Sequence, residues 1–499
     1  MEQTVASPHV LLFPFPGQGN MNSMLNLAEF LCNAGLHITF LNSNHNQQRL
    51  LRFTNAQERF SRWPKFRFQT IPDGLPADHP RSAATFFEIL DSMKATAKPL
   101  FREMMIMASR KESGLWPPLS CFIIDGLMPF AIDVAEELSI RVIVYRAISA
   151  CCLWTFFCLP GLFAAAELPF QGGDVEDDMD VTIKNVPGMQ GFLRRRDLPS
   201  FFQTKDPTDP IFQQIGVECQ KMTQAYGLII NTFEDLESPV LTQFRSQVPN
   251  LYTVGPLHAL TLRRQHSSSS MTSNIAVSNS LWDEDRSCIT WLDSQPPKSV
   301  VYMSFGSLVV YDKDTLMEFW HGLVNSGKLF LWVVRQDSIN ISGGEGTSFL
   351  AEVVDGAKER GSLVVGWAPQ EEVLSHPALG VFLTHSGWNS TMEGIYAGVP
   401  MICWPFFADQ QINSRFVSEV WKVGVALDKC DRWTIERVVK DVMEQKREVL
   451  VESIDGLAKL ARRCISEGGS SRSNLDRLIQ DLRSVRESVY DTSTSTLVG

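Results

Sequence analysis

Three short apolar runs follow one another in one stretch of the chain: Leu363-Val364-Val365, Val381-Phe382-Leu383-Thr384 and Val399-Pro400-Met401-Ile402-Cys403-Trp404. Each is too short for a buried helix and ends in polar or glycine-bearing sequence, so each reads as a strand covered on both faces in a parallel sheet. After the second run, His385-Ser386-Gly387 turns the chain. Asn389, Ser390 and Thr391 then open a helix that continues through Met392, Glu393, Ile395 and Tyr396. The same alternation occurs near the start. A strand at 10–13 precedes a loop at 14–19, a helix at 21–34 and a strand at 38–42; strands at 122–124 and 142–145 flank a helix at 130–138. Repeated strand–helix units imply an α/β fold with doubly wound parallel sheets. A chain of 499 residues, 44% hydrophobic and 20% charged, is too long for one core, and two such domains are expected.

Open sheets of this kind bind ligands beyond the carboxyl ends of their strands. The residues found there suit a nucleoside diphosphate sugar. Free N–H groups at a helix start, capped by Ser or Asn, attract anions, so a diphosphate would meet Ser390, Asn389 and His385. Glu393, one turn into the helix, can accept both hydroxyls of a ribose diol. Trp367, just past its strand, offers a flat face to a base. Asp409 and Gln410, past the third strand, suit sugar hydroxyls. Any one of these residues is more often structural than functional; the ordered set is what is specific.

Charge and cysteine content narrow the class. A net charge of −11 argues against nucleic acid or anionic membrane as a partner, so phosphates must be held by local dipoles and His385. The ten cysteines form no CxxC pair and, with no signal peptide evident, read as reduced thiols of a cytoplasmic protein. The apolar stretch 147–166 approaches a membrane span in length, but Pro160-Gly161 interrupts it, and it is expected to be a buried helix and loop beside an acceptor pocket. Asp178-Met179-Asp180 matches a metal-binding DxD, yet it stands among Asp174, Glu176 and Asp177 and reads as a solvated acidic loop. Gly17-Gln18-Gly19 is half of a dinucleotide fingerprint whose third glycine is replaced by Asn22. No metal and no cofactor is therefore expected.

The segment 367–410 resembles the C-terminal signature of plant family-1 UDP-glycosyltransferases. The resemblance extends over nearly the whole chain, through His9 to Gly19, Cys121 to Asp125, Asp197-Leu198-Pro199, Val254-Gly255-Pro256 and Ser304-Phe305-Gly306-Ser307. It implies the GT-B fold, two Rossmann-like domains facing a cleft. The N-terminal acceptor domain would span 1–256, an interdomain linker 257–282 and the C-terminal UDP-sugar domain 283–470. A helix over 471–490 would pack back on the first domain, ahead of a disordered tail at 491–499. By resemblance, Trp367 stacks on uracil, the Ala368 backbone bonds it, and Gln370 and Glu393 hold the ribose. His385, Asn389, Ser390 and Ser307 hold the diphosphate, and Trp388, Asp409 and Gln410 hold the sugar. A terminal Gln such as Gln410 goes mostly with UDP-glucose. The implied partners are a UDP-sugar and a small-molecule acceptor, with no membrane span and a monomeric state.

The family's catalytic base is a His after the first strand, oriented by an Asp. Asp125 fits the Asp, but the His position falls on Asn20: the chain reads Gly19-Asn20-Met21-Asn22 where the family usually reads Gly-His-x-Asn. An amide has no basic nitrogen. The acceptor can be acidic enough to need no base, Asp125 can act directly or through water, or proximity to a well-held donor can supply the rate. The remaining alternative is a UDP-sugar-binding protein with impaired or lost transferase activity. Tyr145 to Cys152 and Leu41 to Leu50 most resemble the iridoid and terpenoid glucosyltransferases of this family, those acting on 7-deoxyloganetic acid among them. Phe15, Phe87, Trp154 and Phe201, with Phe13 and Phe156, would suit such an aglycone, and Arg194-Arg195-Arg196 reads as a surface basic run.

Overall fold

Val10, Leu11, Leu12 and Phe13 have no exposure at all, because the strand they form is covered on both faces and has a neighbour on each side. The computed structural model describes residues 7–109, 116–170, 179–203, 206, 208–260, 278–339 and 345–494. Its first sheet contains β1 (His9–Phe13), β2 (His37–Ser43), β3 (Phe66–Ile71), β4 (Leu119–Asp125), β5 (Arg141–Arg146), β6 (Gly227–Ile230) and β7 (Leu251–Thr253). The spatial order is β3-β2-β1-β4-β5-β6-β7, and every pair is parallel.

The second sheet contains β8 (Val300–Ser304), β9 (Leu329–Val333), β10 (Leu363–Val365), β11 (Leu379–Thr384), β12 (Met401–Cys403) and β13 (Gly424–Ala426). Its order is β10-β9-β8-β11-β12-β13, again all parallel. In both sheets the strand order reverses beside the first strand, between β1 and β4 and between β8 and β11. Such a reversal splays the flanking connections apart and leaves a crevice at the carboxyl ends.

Several elements differ from the sequence expectation. The helix after β1 is Gln18–Asn33 with Gly17 as its N-cap, so Gln18 and Gly19, read as loop because of the paired glycines, are already helical. Asn20 consequently sits in a helix's first turn. The apolar stretch 147–166 folds as two short helices, Ala150–Phe157 and Leu159–Ala164. Among the described residues no helix is long and apolar enough to cross a membrane.

Residues 261–277, most of the expected interdomain loop, lie outside the described residues. The part just after them is pinned: Leu281 is buried, and its N–H donates to the Gln18 side chain at 2.9 Å. The last helix is Ser470–Thr494, so it continues through 491–494, which were expected to be disordered tail, and 495–499 lie outside the described residues. Leu475, Leu478 and Leu482 are buried, the Tyr252 hydroxyl of β7 donates to Asp481, and Arg477 covers the Tyr252 ring at 4.3 Å. The helix thus returns to the first sheet.

Candidate active site

The crevices at the two reversals open into one cavity of about 1560 Å³. Its wall is made by the residues that follow the strands: Gly17 to Asn20 after β1, Arg146 to Ile148 at β5, Ser304 to Leu308 after β8, Trp367 to Gln370 after β10, His385 after β11 and Phe407 to Gln410 after β12.

The side facing the second sheet is a bonded network. Gln370 is its hub. Its amide nitrogen donates to Glu393 at 2.6 Å and to the Ser390 hydroxyl at 2.9 Å, while its carbonyl accepts from the Tyr302 hydroxyl at 3.2 Å. Burial raises the Glu393 carboxyl to about 7, against the lowering effect of Gln370. Trp367 is half-buried and stacks on Trp282, with ring centroids 4.7 Å apart and planes 26° from parallel, which leaves its other face for a base.

The helix Trp388–Ala397 begins at Gly387, and no side chain caps its first amides. Those N–H groups are open to an anion. His385 lies directly before this start. A Cβ placed on Gly306 would come within 2.7 Å of the His385 Nε2, and one on Gly387 would also collide with the ring, so both positions must lack a side chain. Burial lowers the His385 pKa to about 4. The ring is therefore neutral near pH 7, so it can meet a diphosphate only as a hydrogen-bonding group and not as a charge.

At the sugar end, Asp409 is raised to about 7 by burial and accepts from Asn413 Nδ2 at 2.6 Å. The Gln410 carbonyl accepts the Phe406 and Phe407 N–H groups, both at 2.8 Å, which fixes the amide and leaves its nitrogen as the free group. The Trp388 side chain points elsewhere. It is 2% exposed, and its Nε1 donates to the Asn231 carbonyl at 2.8 Å, so this residue offers the cavity its backbone. Asn389 Nδ2 donates to the Gly19 carbonyl at 2.9 Å and ties the second sheet's helix to the first turn of the helix after β1.

On the opposite wall Asn20 lines the cavity, and its Nδ2 donates to Asp125 Oδ2 at 2.7 Å. The other Asp125 oxygen accepts the Leu127 N–H at 3.1 Å. Asp125 has 0% exposure and does not line the cavity. Burial raises its pKa, with Arg146 the largest opposing influence. Direct proton transfer from substrate to Asp125 is thus closed off by Asn20.

Of the aromatic residues expected to touch an acceptor, Phe87, Phe156 and Phe201 line the cavity, and Phe13, Phe15 and Trp154 do not. Phe15 is core, 2% exposed and packed on Phe86. Trp154 is core as well: it contacts Phe157 and Phe244, and its indole N–H donates to the Pro187 carbonyl at 2.9 Å. Phe86, Ile148 and Ile211 take their place. Sequence reasoning also missed Arg146 and Glu218, both buried in this wall. The available signal was an Arg set directly at the carboxyl end of a strand with an apolar interior. Asp178 lies outside the described residues, and Asp180 is engaged by Arg194 at 3.0 Å and Arg196 at 2.6 Å.

Comparison with known proteins agrees with this geometry. Residues 270–454 match the family model described as UDP-glucoronosyl and UDP-glucosyl transferase. The chain is 50% identical over 486 residues to a 7-deoxyloganetic acid glucosyltransferase of Catharanthus roseus, covering 97% of this chain and 99% of the relative. It is 36% identical to a 7-deoxyloganetin glucosyltransferase of Gardenia jasminoides, over 95% of this chain and 98% of that one. Among solved structures, Os79 of O. sativa in complex with UDP superposes with a TM-score of 0.75 at 28% identity, covering 95% of this chain and 100% of that one.

Proposed function

Because the chain belongs to the UDP-glucosyl transferase family, we propose that it transfers glucose from UDP-glucose to a hydroxyl of a small iridoid or related terpenoid acceptor, with Asn20 where relatives of this kind carry a His base. The observation that carries the reading is the bonded set Trp367, Gln370, Ser390 and Glu393 at the β8/β11 reversal, facing Asn20 across one cavity.

Uracil lies on the free face of Trp367 with the Ala368 backbone at its edge, and Glu393 accepts the ribose hydroxyls. The diphosphate takes the open amides at the start of the helix Trp388–Ala397, the neutral His385 and the Ser307 turn. Asp409, Gln410 and the Trp388 backbone hold the glucose. An acceptor oxygen on the Asn20 side attacks the anomeric carbon, and the bond from that carbon to the β-phosphate oxygen breaks. Its electron pair leaves with UDP, and the sugar's configuration inverts.

The proton is the distinctive point. Asn20 cannot take it, and Asp125 is sealed behind Asn20. The acceptor hydroxyl must then lose its proton to solvent, which favours acidic hydroxyls over plain alcohols. Proximity to a fixed donor supplies the remainder. No metal enters this scheme: the phosphates meet helix amides, and Asp180 is held by arginines.

The test is UDP release from UDP-glucose with EDTA present, using 7-deoxyloganetic acid, a phenol and a simple terpene alcohol as acceptors, with product mass read in parallel. Turnover ordered by acceptor acidity supports the scheme. UDP binding without turnover on any acceptor identifies a donor-binding protein that has lost its activity, which Asn20 alone would favour.

A further inference from the structure

β5 is apolar between its two terminal arginines. Val142, Ile143, Val144 and Tyr145 are buried, and Arg146 then carries a guanidinium into the cavity wall at 3% exposure. The approach is tight, since a Cβ on Gly126 would stand 2.7 Å from Arg146 Cδ. Ile148, Cys152, Phe156 and Ile215 line the same cavity, and three carboxyl groups, Asp125, Glu218 and Asp409, lie near enough to feel the guanidinium's charge.

Buried arginines are normally fully bonded, because desolvating a guanidinium without partners is costly. Arg146 departs from that rule. Its Nε and Nη1 have no hydrogen-bond partner. The single ion pair, Nη1 to Glu218 Oε2, is 3.6 Å long and so beyond hydrogen-bond reach. Glu218 comes from the helix Pro210–Gln224, and its other oxygen accepts from Gln214 at 3.3 Å. Burial raises Glu218 to about 7, with Arg146 opposing, so this carboxyl is only part-charged near neutral pH and does not cancel the guanidinium. Asp125 is bonded to Asn20 and Leu127, and Asp409 to Asn413. Arg146 is therefore a permanent cation in the acceptor-side wall of the cavity, with two buried N–H groups that have no hydrogen-bond partner among the described residues.

We propose that Arg146 anchors a carboxylate carried by the acceptor, so that the enzyme selects carboxylic-acid acceptors over their neutral esters. The inference rests on the transferase reading above and names its substrate class. A guanidinium is suited to this because its fixed charge and planar donors match a carboxylate, whereas an ester offers only a weak acceptor. The anchored carboxylate is neutralised and is a poor nucleophile, so attack on the sugar falls to a hydroxyl elsewhere on the molecule.

The experiment compares 7-deoxyloganetic acid with its methyl ester on the full chain, on Arg146→Gln and on Glu218→Gln, with UDP binding by calorimetry to verify that the donor side is intact. The wild-type chain should favour the acid in kcat/KM by roughly tenfold or more, the range of a charge-assisted hydrogen bond. Arg146→Gln should bring the ratio near one, mainly by raising KM for the acid. Glu218→Gln removes the competing carboxyl and should keep or increase the preference. Parallel loss on acid and ester in Arg146→Gln, with UDP binding retained, would mean a purely structural ion pair and would overturn the proposal. If Arg146→Gln does not fold, Glu218→Gln decides alone: a fall in acid preference overturns the proposal and a rise supports it. A wild-type chain active on both acceptors but favouring the ester sinks the anchor and leaves the transferase reading standing. One that turns over neither sinks both.

Discussion

The two walls of the cavity are built differently. On the donor wall nearly every functional side chain is already tied to another: Gln370 to Tyr302, Ser390 and Glu393, Trp367 to Trp282, Gln410 to the 406–407 backbone. On the acceptor wall, phenylalanine rings from both halves of the molecule meet, as Phe86 and Phe201 do with Phe407, and the same wall holds a buried arginine with unpartnered donors. A preorganised wall costs little reorganisation when its ligand arrives and accepts one ligand. A wall of rings around one charge sets shape and charge and leaves the rest of the acceptor free. The chemistry common to UDP-sugars is on the first wall and the choice of acceptor on the second. Asn20 stands at the seam.

The largest expected effect tests that seam. In Asn20→His, an imidazole would take the place of the amide against Asp125 and present its second nitrogen to the cavity as a base. Activity on a neutral alcohol should rise about a hundredfold, within the usual range of general-base catalysis. Acidic acceptors should gain far less, since they need no base. The measurement is a pH–rate profile for the given chain and the variant on one acceptor of each kind. An equal gain on every acceptor would mean that Asn20 is a lesion and not part of an acceptor-selecting wall. An unchanged profile would place the residue away from the chemistry.

Next in size is Trp367→Ala. Aromatic stacking on a base is worth about 1–3 kcal/mol, so affinity for every UDP-sugar should fall roughly 5- to 150-fold and by the same factor for each. Calorimetric titration with two different UDP-sugars measures it. Unequal losses would show that this wall also discriminates among sugars through the base end, against the division drawn above.

A smaller effect concerns protons. Glu393 is held near 7 by burial, and a ribose diol must donate to its ionised form. Affinity should therefore rise with pH from about 6 to 8 and then level off, because below the raised pKa binding must first expel a proton. Uridine is the ligand to titrate, since it has no phosphate ionisation to mask the change. The expected gain is about tenfold, on the order of 1.4 kcal/mol per pKa unit traversed. Glu393→Gln should flatten the curve. A flat curve in the unaltered chain would mean the ribose is held elsewhere.

The same division explains what could be read from the sequence. The donor wall was legible because Trp367, Gln370, His385, Ser390, Glu393 and Gln410 lie in one continuous stretch whose strand–turn–helix pattern fixes their directions. The acceptor wall was not, because it is assembled from distant pieces. Arg146 ends β5 and Glu218 lies on a helix far along the chain, so no local pattern joins them. Phe15 and Trp154 were misread for a related reason: an aromatic residue in an apolar run does not record which face it takes, and both turned into the core. The paired glycines around Gln18 masked the start of a helix, because glycine signals a turn more strongly than it signals an N-cap.

The smallest expected effect asks whether the donor wall reads sugars at all. The Gln410 carbonyl is taken by the Phe406 and Phe407 N–H groups, so its Nε2 is a donor with a fixed direction toward the sugar. A neutral imidazole has one donor and one acceptor, and it cannot hold both backbone amides while donating from the same place. Gln410→His should therefore lower the preference for UDP-glucose over UDP-galactose by about 2- to 10-fold, the scale of one hydrogen bond of ~0.5–1.5 kcal/mol. Competition between the two donors in one reaction, read by product mass, measures the ratio without needing absolute rates. A matched loss on both donors would assign Gln410 to holding the 406–407 turn. Sugar choice would then have to come from Asp409, whose carboxyl near 7 would also make that choice depend on pH.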